Sequence, residues 1–350
     1  MGESLGLLVE GQSTNLLAGS ATIGGTYWGV VNATAQQNTA VAPDGTLTAT
    51  TLVENSAGGA KYAYSNNYTP AGSTTYTFSA FVKPNGRNFC MIYTNLGGAS
   101  QSSMFDLVTG STSNLSGSGT NQATQCGNGW WRLSVTVTTS STTTANFQIL
   151  PATDATTFDY TGNGYSGLIC WGAMLEQASF ASSYIATTTP ATRASESLSV
   201  ATADIGYTGG PFTIVSETEG GKGSYPRAWT ISDSSLNNRL VVYRNSDTST
   251  DNTDWYCYAV SDGSAQVSST ITSSASAGKL AVSYDTNDVS TCASGGTVTT
   301  DNAAVISGKL TTLHIGAQTN GVSNKLNGHV KRLSLYNEAL SDTNLQALTS

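Results

Sequence analysis

Alternation with a period of two, repeated in short Thr-, Val- and Tyr-rich stretches, constrains this chain more than any other feature of it. In Trp131-Arg132-Leu133-Ser134-Val135-Thr136-Val137-Thr138 the odd positions are apolar and the even ones polar or charged. Successive side chains of a strand point to opposite faces, so such a run packs one face and wets the other. Residues 46–53, 76–82, 212–219, 239–244 and 255–260 read the same way. Between the runs stand Pro43-Asp44-Gly45, Pro84-Asn85-Gly86, Ser261-Asp262-Gly263 and Thr319-Asn320-Gly321, which accept positive φ and turn the chain. Short strands punctuated in this way form sandwiches and barrels. One helix is expected, at the C-terminus, where Ser341 can cap a segment carrying Leu345 and Leu348. The chain has 350 residues, about twice the usual domain size, and 188–204, rich in Thr, Ala and Ser around Pro190, has no core-forming period. The expectation is an all-β chain of two tandem antiparallel β-sandwich domains, 1–187 and 205–350, joined by a linker over 188–204, with a short C-terminal helix.

Composition excludes several functions. Charged residues make up 10% of the chain, against about 25% in ordinary soluble domains, yet 38% hydrophobic residues and 16 tyrosines are enough to build cores. The longest apolar run, 168–175, is far short of the roughly 20 residues of a membrane-spanning helix, so no membrane insertion is expected. The net charge of −8 comes with no Lys/Arg cluster, and nucleic acid is gripped mainly through Lys and Arg on phosphates; no nucleic-acid partner is expected. Five cysteines cannot all pair. Cys90, Cys170 and Cys257 lie in apolar runs and read as buried free thiols, Cys126 and Cys292 lie in Gly/Ser-rich loops, and no spacing suggests zinc. Met1-Gly2-Glu3-Ser4 lacks the basic stretch and apolar core of a signal peptide, so the expected setting is a reducing cytoplasm, or a fragment of something longer.

Catalytic constellations are sparse. His314 and His329 sit in alternating runs as strand histidines, and no G-x-S-x-G elbow precedes a helix. Glu217 and Glu219 share one face of the 212–219 strand and form the paired-carboxylate candidate for a glycoside hydrolase. The glycine-rich pieces 206–210 and 220–223 do not fit a phosphate-binding loop. Asp251, Asp254, Asp285 and Asp288 lie in polar loops suited to a hard cation but without EF-hand spacing. No cofactor and no catalytic metal are expected; a structural calcium is left open, without assigned ligands. The chain therefore reads as a non-enzyme.

Aromatic residues on strands are the remaining signal. A flat ring covers the apolar face of a pyranose while polar neighbours bond its hydroxyls. Trp131 and Trp171 read as core by pattern, and Trp28 and Trp130 border turns. In 239–244, Leu240 and Val242 face one way; in 255–260, Trp255, Cys257 and Ala259 look like their inward partners. The opposite faces then carry Arg239, Tyr243, Tyr256 and Tyr258, a candidate glycan-binding patch if the two strands are neighbours. Such a patch suits a neutral or weakly acidic glycan; a strongly anionic capsule would meet the overall negative charge, so neutral sugars are the favoured ligand.

Family resemblance extends this reading. Gly6-Leu7-Leu8-Val9-Glu10, Thr14-Asn15-Leu16-Leu17, Pro43-Asp44-Gly45-Thr46, the 76–83 strand, Gly129-Trp130-Trp131-Arg132 and Trp171-Gly172-Ala173-Met174-Leu175-Glu176 together resemble the carbohydrate-binding-type modules of bacteriophage tail and virion proteins. Phe212-Thr213-Ile214, Leu313-His314-Ile315-Gly316 and the run 327–336 are similar to laminin G-like, concanavalin A-like jelly rolls. Glycoside hydrolases of the latter fold carry an ExDxxE pattern, from which Glu219 and Lys222 depart. The resemblance implies a non-catalytic virion protein of a tail fibre, tailspike or capsid surface. It would assemble in the host cytoplasm, bind host-envelope carbohydrate and contact other virion proteins, as a homo-oligomer, trimeric by analogy. A purely structural decoration or fibre protein is the alternative.

Overall fold

A computed structural model describes residues 5–207, 209–244, 254–271, 277–306, 310–321 and 323–350. Among these the ordered elements are strands, with one 3-10 turn, Thr202–Ile205, and one α-helix, Asp342–Thr349. The all-β class follows directly from the alternation. In the Trp131–Thr138 strand, Leu133, Val135 and Val137 are buried while Arg132, Ser134 and Thr136 are only partly covered.

The chain divides into two compact units, Ser13–Arg193 and Met1–Gln12 together with Ala194–Ser350. The first is a sandwich of two antiparallel six-stranded sheets. One runs, edge to edge, Thr112–Ser116, Ala99–Asp106, Phe89–Leu96, Phe147–Ala152, Tyr62–Ser65, Trp28–Val31; the other runs Thr120–Gln125, Trp131–Thr138, Thr75–Asn85, Gly167–Glu176, Ala49–Glu54, Ala33–Ala40. Phe78 from one sheet stacks on Phe147 from the other, ring centroids 4.6 Å apart, at the centre of the core.

The second unit is also two six-stranded sheets. Leu7–Val9, Gly328–Tyr336, Phe212–Gly220, Ala277–Asp285, Asp288–Ala293 and Thr299–Asp301 form one, and Leu198–Ala201, Thr312–Ile315, Arg227–Ser232, Arg239–Arg244, Trp255–Ser261 and Ser264–Ile271 the other. Trp229, Trp255, Phe212, Leu240 and Val282 fill the space between them. The C-terminal helix closes one outer face by setting Leu345 on Val215, Ala281 and Cys292. Ser341 is its N-cap in extended conformation, but its side chain makes no capping bond, so Leu345 burial fixes the helix.

Three expectations are revised by these elements. Residues 7–9 do not join the domain that follows them in sequence: Leu7 pairs with Val330 and Val9 with Gly328, and Val9 is buried in the other unit's core. A three-residue edge strand carries too little pattern to announce a partner more than three hundred residues away. The 188–204 stretch is not free linker either. Ala191–Arg193 pairs with Ser13–Asn15, and Leu198–Ala201 pairs with Thr312–Ile315. Cys292, read as a loop residue, sits buried in a strand beneath the helix; all five cysteines are unpaired.

Candidate functional site

The Arg239–Arg244 and Trp255–Ser261 strands are antiparallel neighbours, with Tyr243 opposite Tyr256, Val241 opposite Tyr258 and Arg239 opposite Val260. Leu240, Val242, Trp255, Cys257 and Ala259 point into the core and are fully buried. Period two therefore sends Arg239, Val241, Tyr243, Tyr256 and Tyr258 to the outer face together. The register is held by the Ser261-Asp262-Gly263-Ser264 hairpin, whose central residues have φ of 49° and 78°. That two-residue turn needs positive φ twice, which Asp tolerates and Gly adopts freely.

On this face Tyr243 and Tyr256 stack, centroids 5.6 Å apart and planes 28° from parallel, and Tyr225 tilts against Tyr243 at 6.1 Å. Arg239 lies with Cζ 5.7 Å from the Tyr258 ring centroid. A second guanidinium joins them: Arg227 Cζ is 5.4 Å from the Tyr243 centroid. Sequence reading missed Arg227 because strict alternation in Arg227–Ser232 puts it on the inner face with Trp229. A bulge at Ala228 shifts the pairing, so that Trp229 opposes Val242 while Arg227 opposes Tyr243. The long side chains roof a floor of Thr230 and Val241, both fully buried although they belong to the outer face. His314, on the same face beside Thr230, is 7% exposed.

Electrostatically the face is cationic and poorly satisfied. Burial pulls the Arg227 guanidinium down to about 10, the nearby Arg239 charge adding to the effect, so Arg227 remains charged at neutral pH. Burial also lowers Arg239 and raises the Tyr243 phenol. Burial and the Lys325 charge hold His314 low, as a neutral imidazole. Neither guanidinium has a hydrogen-bond or carboxylate partner among the described residues, and Nε of each is buried without one, as are both ring nitrogens of His314.

Charge in the Ser13–Arg193 unit is handled differently. Glu54, fully buried, accepts from Arg87 Nε at 2.9 Å, from the Tyr160 hydroxyl at 2.6 Å and from the Asn163 amide at 2.8 Å, and forms an ion pair with Arg87. Burial alone would raise its carboxyl, but the Arg87, Tyr160 and Asn163 hydrogen bonds hold it below the ordinary value. Beside it the buried Lys61 ammonium donates to the carbonyls of Ala57, Gly59 and Tyr160. All six tryptophans of the chain are buried, Trp28 and Trp130 included, so the exposed aromatic equipment is tyrosine.

The carboxylate pair is also placed. Glu217 and Glu219 do share the outer face of Phe212–Gly220, but Glu219 pairs with Lys331 at 2.8 Å, and Glu217 lies opposite Lys279 on one side and Arg332 on the other. Of the aspartates, Asp251 lies outside the described residues. Asp285 accepts from the Thr286 amide and Asp288 from the Ser290 hydroxyl, and no three metal-ligating side chains gather among the described residues.

No protein-family model matches the chain, and no curated protein matches its sequence. Among solved structures, it is similar to the CBM40 module of a Ruminococcus gnavus IT-sialidase bound to α2,3-sialyllactose, at 16% identity over 42% of this chain and 86% of that one, TM-score 0.34. It is also similar to domains LG4-5 of the mouse laminin α1 chain, at 10% identity over 98% and 93%, TM-score 0.27, and to the LG1-3 region of the laminin α2 chain, at 9% over 80% and 65%, TM-score 0.29. Likenesses this distant transfer no residue role.

Proposed function

We propose that the chain is a non-catalytic glycan-binding protein that holds sugar on the outer face bearing Arg239, Tyr243, Tyr256 and Tyr258. The observation that carries this reading is the stacked Tyr243–Tyr256 pair beside the Arg239–Tyr258 contact on one sheet face. Stacked rings offer a flat apolar platform and guanidinium forks bond hydroxyl or carboxylate oxygens, the two things a pyranose presents. The cations around Glu217 and Glu219 support the non-catalytic side of the reading. Display on a virion, with host-envelope carbohydrate as the target, rests on the sequence resemblance alone.

The test is a glycan array with the purified chain, followed by titration calorimetry on any hit. Tyr256→Ala and Tyr258→Ala should each weaken binding by about 1 kcal/mol or more, roughly fivefold. Thermal unfolding should move by less than about 1 kcal/mol, the worth of one cross-strand pair. Failure to bind any glycan, or parental affinity in both variants, would overturn the proposal.

A further inference from the structure

The second guanidinium changes which sugars suit this face. We infer that Arg227 and Arg239 together form an oxyanion subsite, and that the face takes an acidic sugar, one carrying a carboxylate or a sulfate ester, in preference to the neutral sugars suggested by net charge. This deepens, and rests on, the glycan-binding reading above.

Three observations converge. Both arginines are partly withdrawn from water, each over a tyrosine ring, and neither has an anion to balance it among the described residues. The Nε–H of each is buried and unbonded, and a buried donor left without an acceptor keeps its full desolvation penalty, larger when the group is charged. His314, more than nine-tenths buried on the same face, has both ring nitrogens unbonded as well, and as a neutral imidazole it adds one N–H donor. A fold that keeps several such donors on one sheet face is preorganised for an acceptor from outside. The planar fork of Arg meets two oxygens of a carboxylate or sulfate with two N–H donors, and such charge-assisted bonds are about twice as strong as neutral ones.

Two cations flanked by rings fit one charged group on a sugar better than a dense polyanion, which would need a run of Lys/Arg. The net charge of −8 does not forbid this. At physiological ionic strength, charges beyond about 8 Å are largely screened, whereas the two guanidiniums act at contact. Asp233, at the end of the neighbouring strand, is occupied by its own loop, accepting from Ser235 and Asn238.

The experiment compares matched oligosaccharides differing only at the charged group, glucuronate against glucose, galacturonate against galactose, and sulfated against unsulfated forms, titrated into the full chain and into Arg227→Met, Arg227→Lys and Tyr256→Ala. The expected result is binding of an acidic member at least tenfold tighter than its neutral twin. Arg227→Met should erase that preference, Arg227→Lys should retain part of it, and the carboxylate and sulfate arms identify the anion. Neutral sugars bound as tightly as their acidic twins, with affinity lost in Tyr256→Ala but unchanged in Arg227→Met, would overturn the acidic subsite while leaving the glycan face standing. Absence of binding to every member would overturn both.

Discussion

Arg87 and Arg227 stand at nearly the same distance from a tyrosine ring, 5.0 Å to Tyr160 and 5.4 Å to Tyr243, yet they sit in opposite electrostatic settings. Arg87 shares a buried carboxylate with a phenol and a backbone amide, so every charge in that corner of the Ser13–Arg193 sandwich is answered from within. Arg227 has the ring but no carboxylate. A structural cation and a binding one are told apart by what answers their donors. A guanidinium whose donors are satisfied internally holds the fold, and one that is desolvated and unanswered weighs against the fold until something binds it.

Removing the two arginines in parallel should have unequal effects. Arg87→Met strands the buried Glu54 carboxylate and should cost the Ser13–Arg193 sandwich about 3 kcal/mol in urea unfolding, the usual penalty for breaking a buried pair from one side. A loss below about 1 kcal/mol would show that the pair contributes little. The pH dependence carries the same information. Because the folded Glu54 carboxyl lies below its ordinary value, its contribution is complete above the unfolded glutamate range, about 4.3, and is withdrawn as pH falls through the lowered folded value. Glu54→Gln should therefore flatten the acid limb of the stability curve, which parallel melts from pH 6 to pH 2 would reveal.

Each cluster reports on its own sandwich, and Val9 provides the control. Val9→Ala removes apolar surface from the core of the second unit and should cost about 1.5 kcal/mol there while leaving Ser13–Arg193 unaffected, as two fluorescence-resolved transitions would show. Proteolysis at 194–197 should give fragments that stay associated until denatured, because Leu7–Val9 remains paired with Gly328–Tyr336. Separation on a sizing column without denaturant would contradict that.

The smallest expected effect is the most telling. Arg227→Met takes away a desolvated charge with no internal partner, so stability should stay within about 0.5 kcal/mol of the parent, or rise. A loss as large as that of Arg87→Met would mean that Arg227 is structural and that the contrast fails.

Where sequence and structure agree, the cause is local repetition. The Trp131–Thr138 and Arg239–Arg244 strands begin and end where the alternation does, since parity sets which face each side chain joins, even where an outer-face residue such as Val241 is buried. Arg239, Tyr243, Tyr256 and Tyr258 came out on one face for the same reason. Arg227 escaped because a single bulged residue, Ala228, inverts parity behind it, and no composition signal marks the bulge. Trp130 escaped because neighbouring tryptophans at a strand start cannot obey alternation; Trp131 fills the main core and Trp130 joins Ala42, Phe81 and Trp171 in a separate cluster. Residues 7–9 and 191–201 escaped because their partners are distant, and three- or four-residue strands take their identity from those partners.

That early strand has a consequence in time. Leu7–Val9 leaves the ribosome before the whole of Ser13–Arg193, and its partner Gly328–Tyr336 only after it. At about 5–20 residues per second, the segment waits on the order of 15–60 s while the whole Ser13–Arg193 sandwich emerges and can fold between the two halves of the other sheet. Within this sheet the strand made before the others is thus the last to find its partner, and through that interval the ribosome carries an unfinished edge that a second nascent chain could fill in its place.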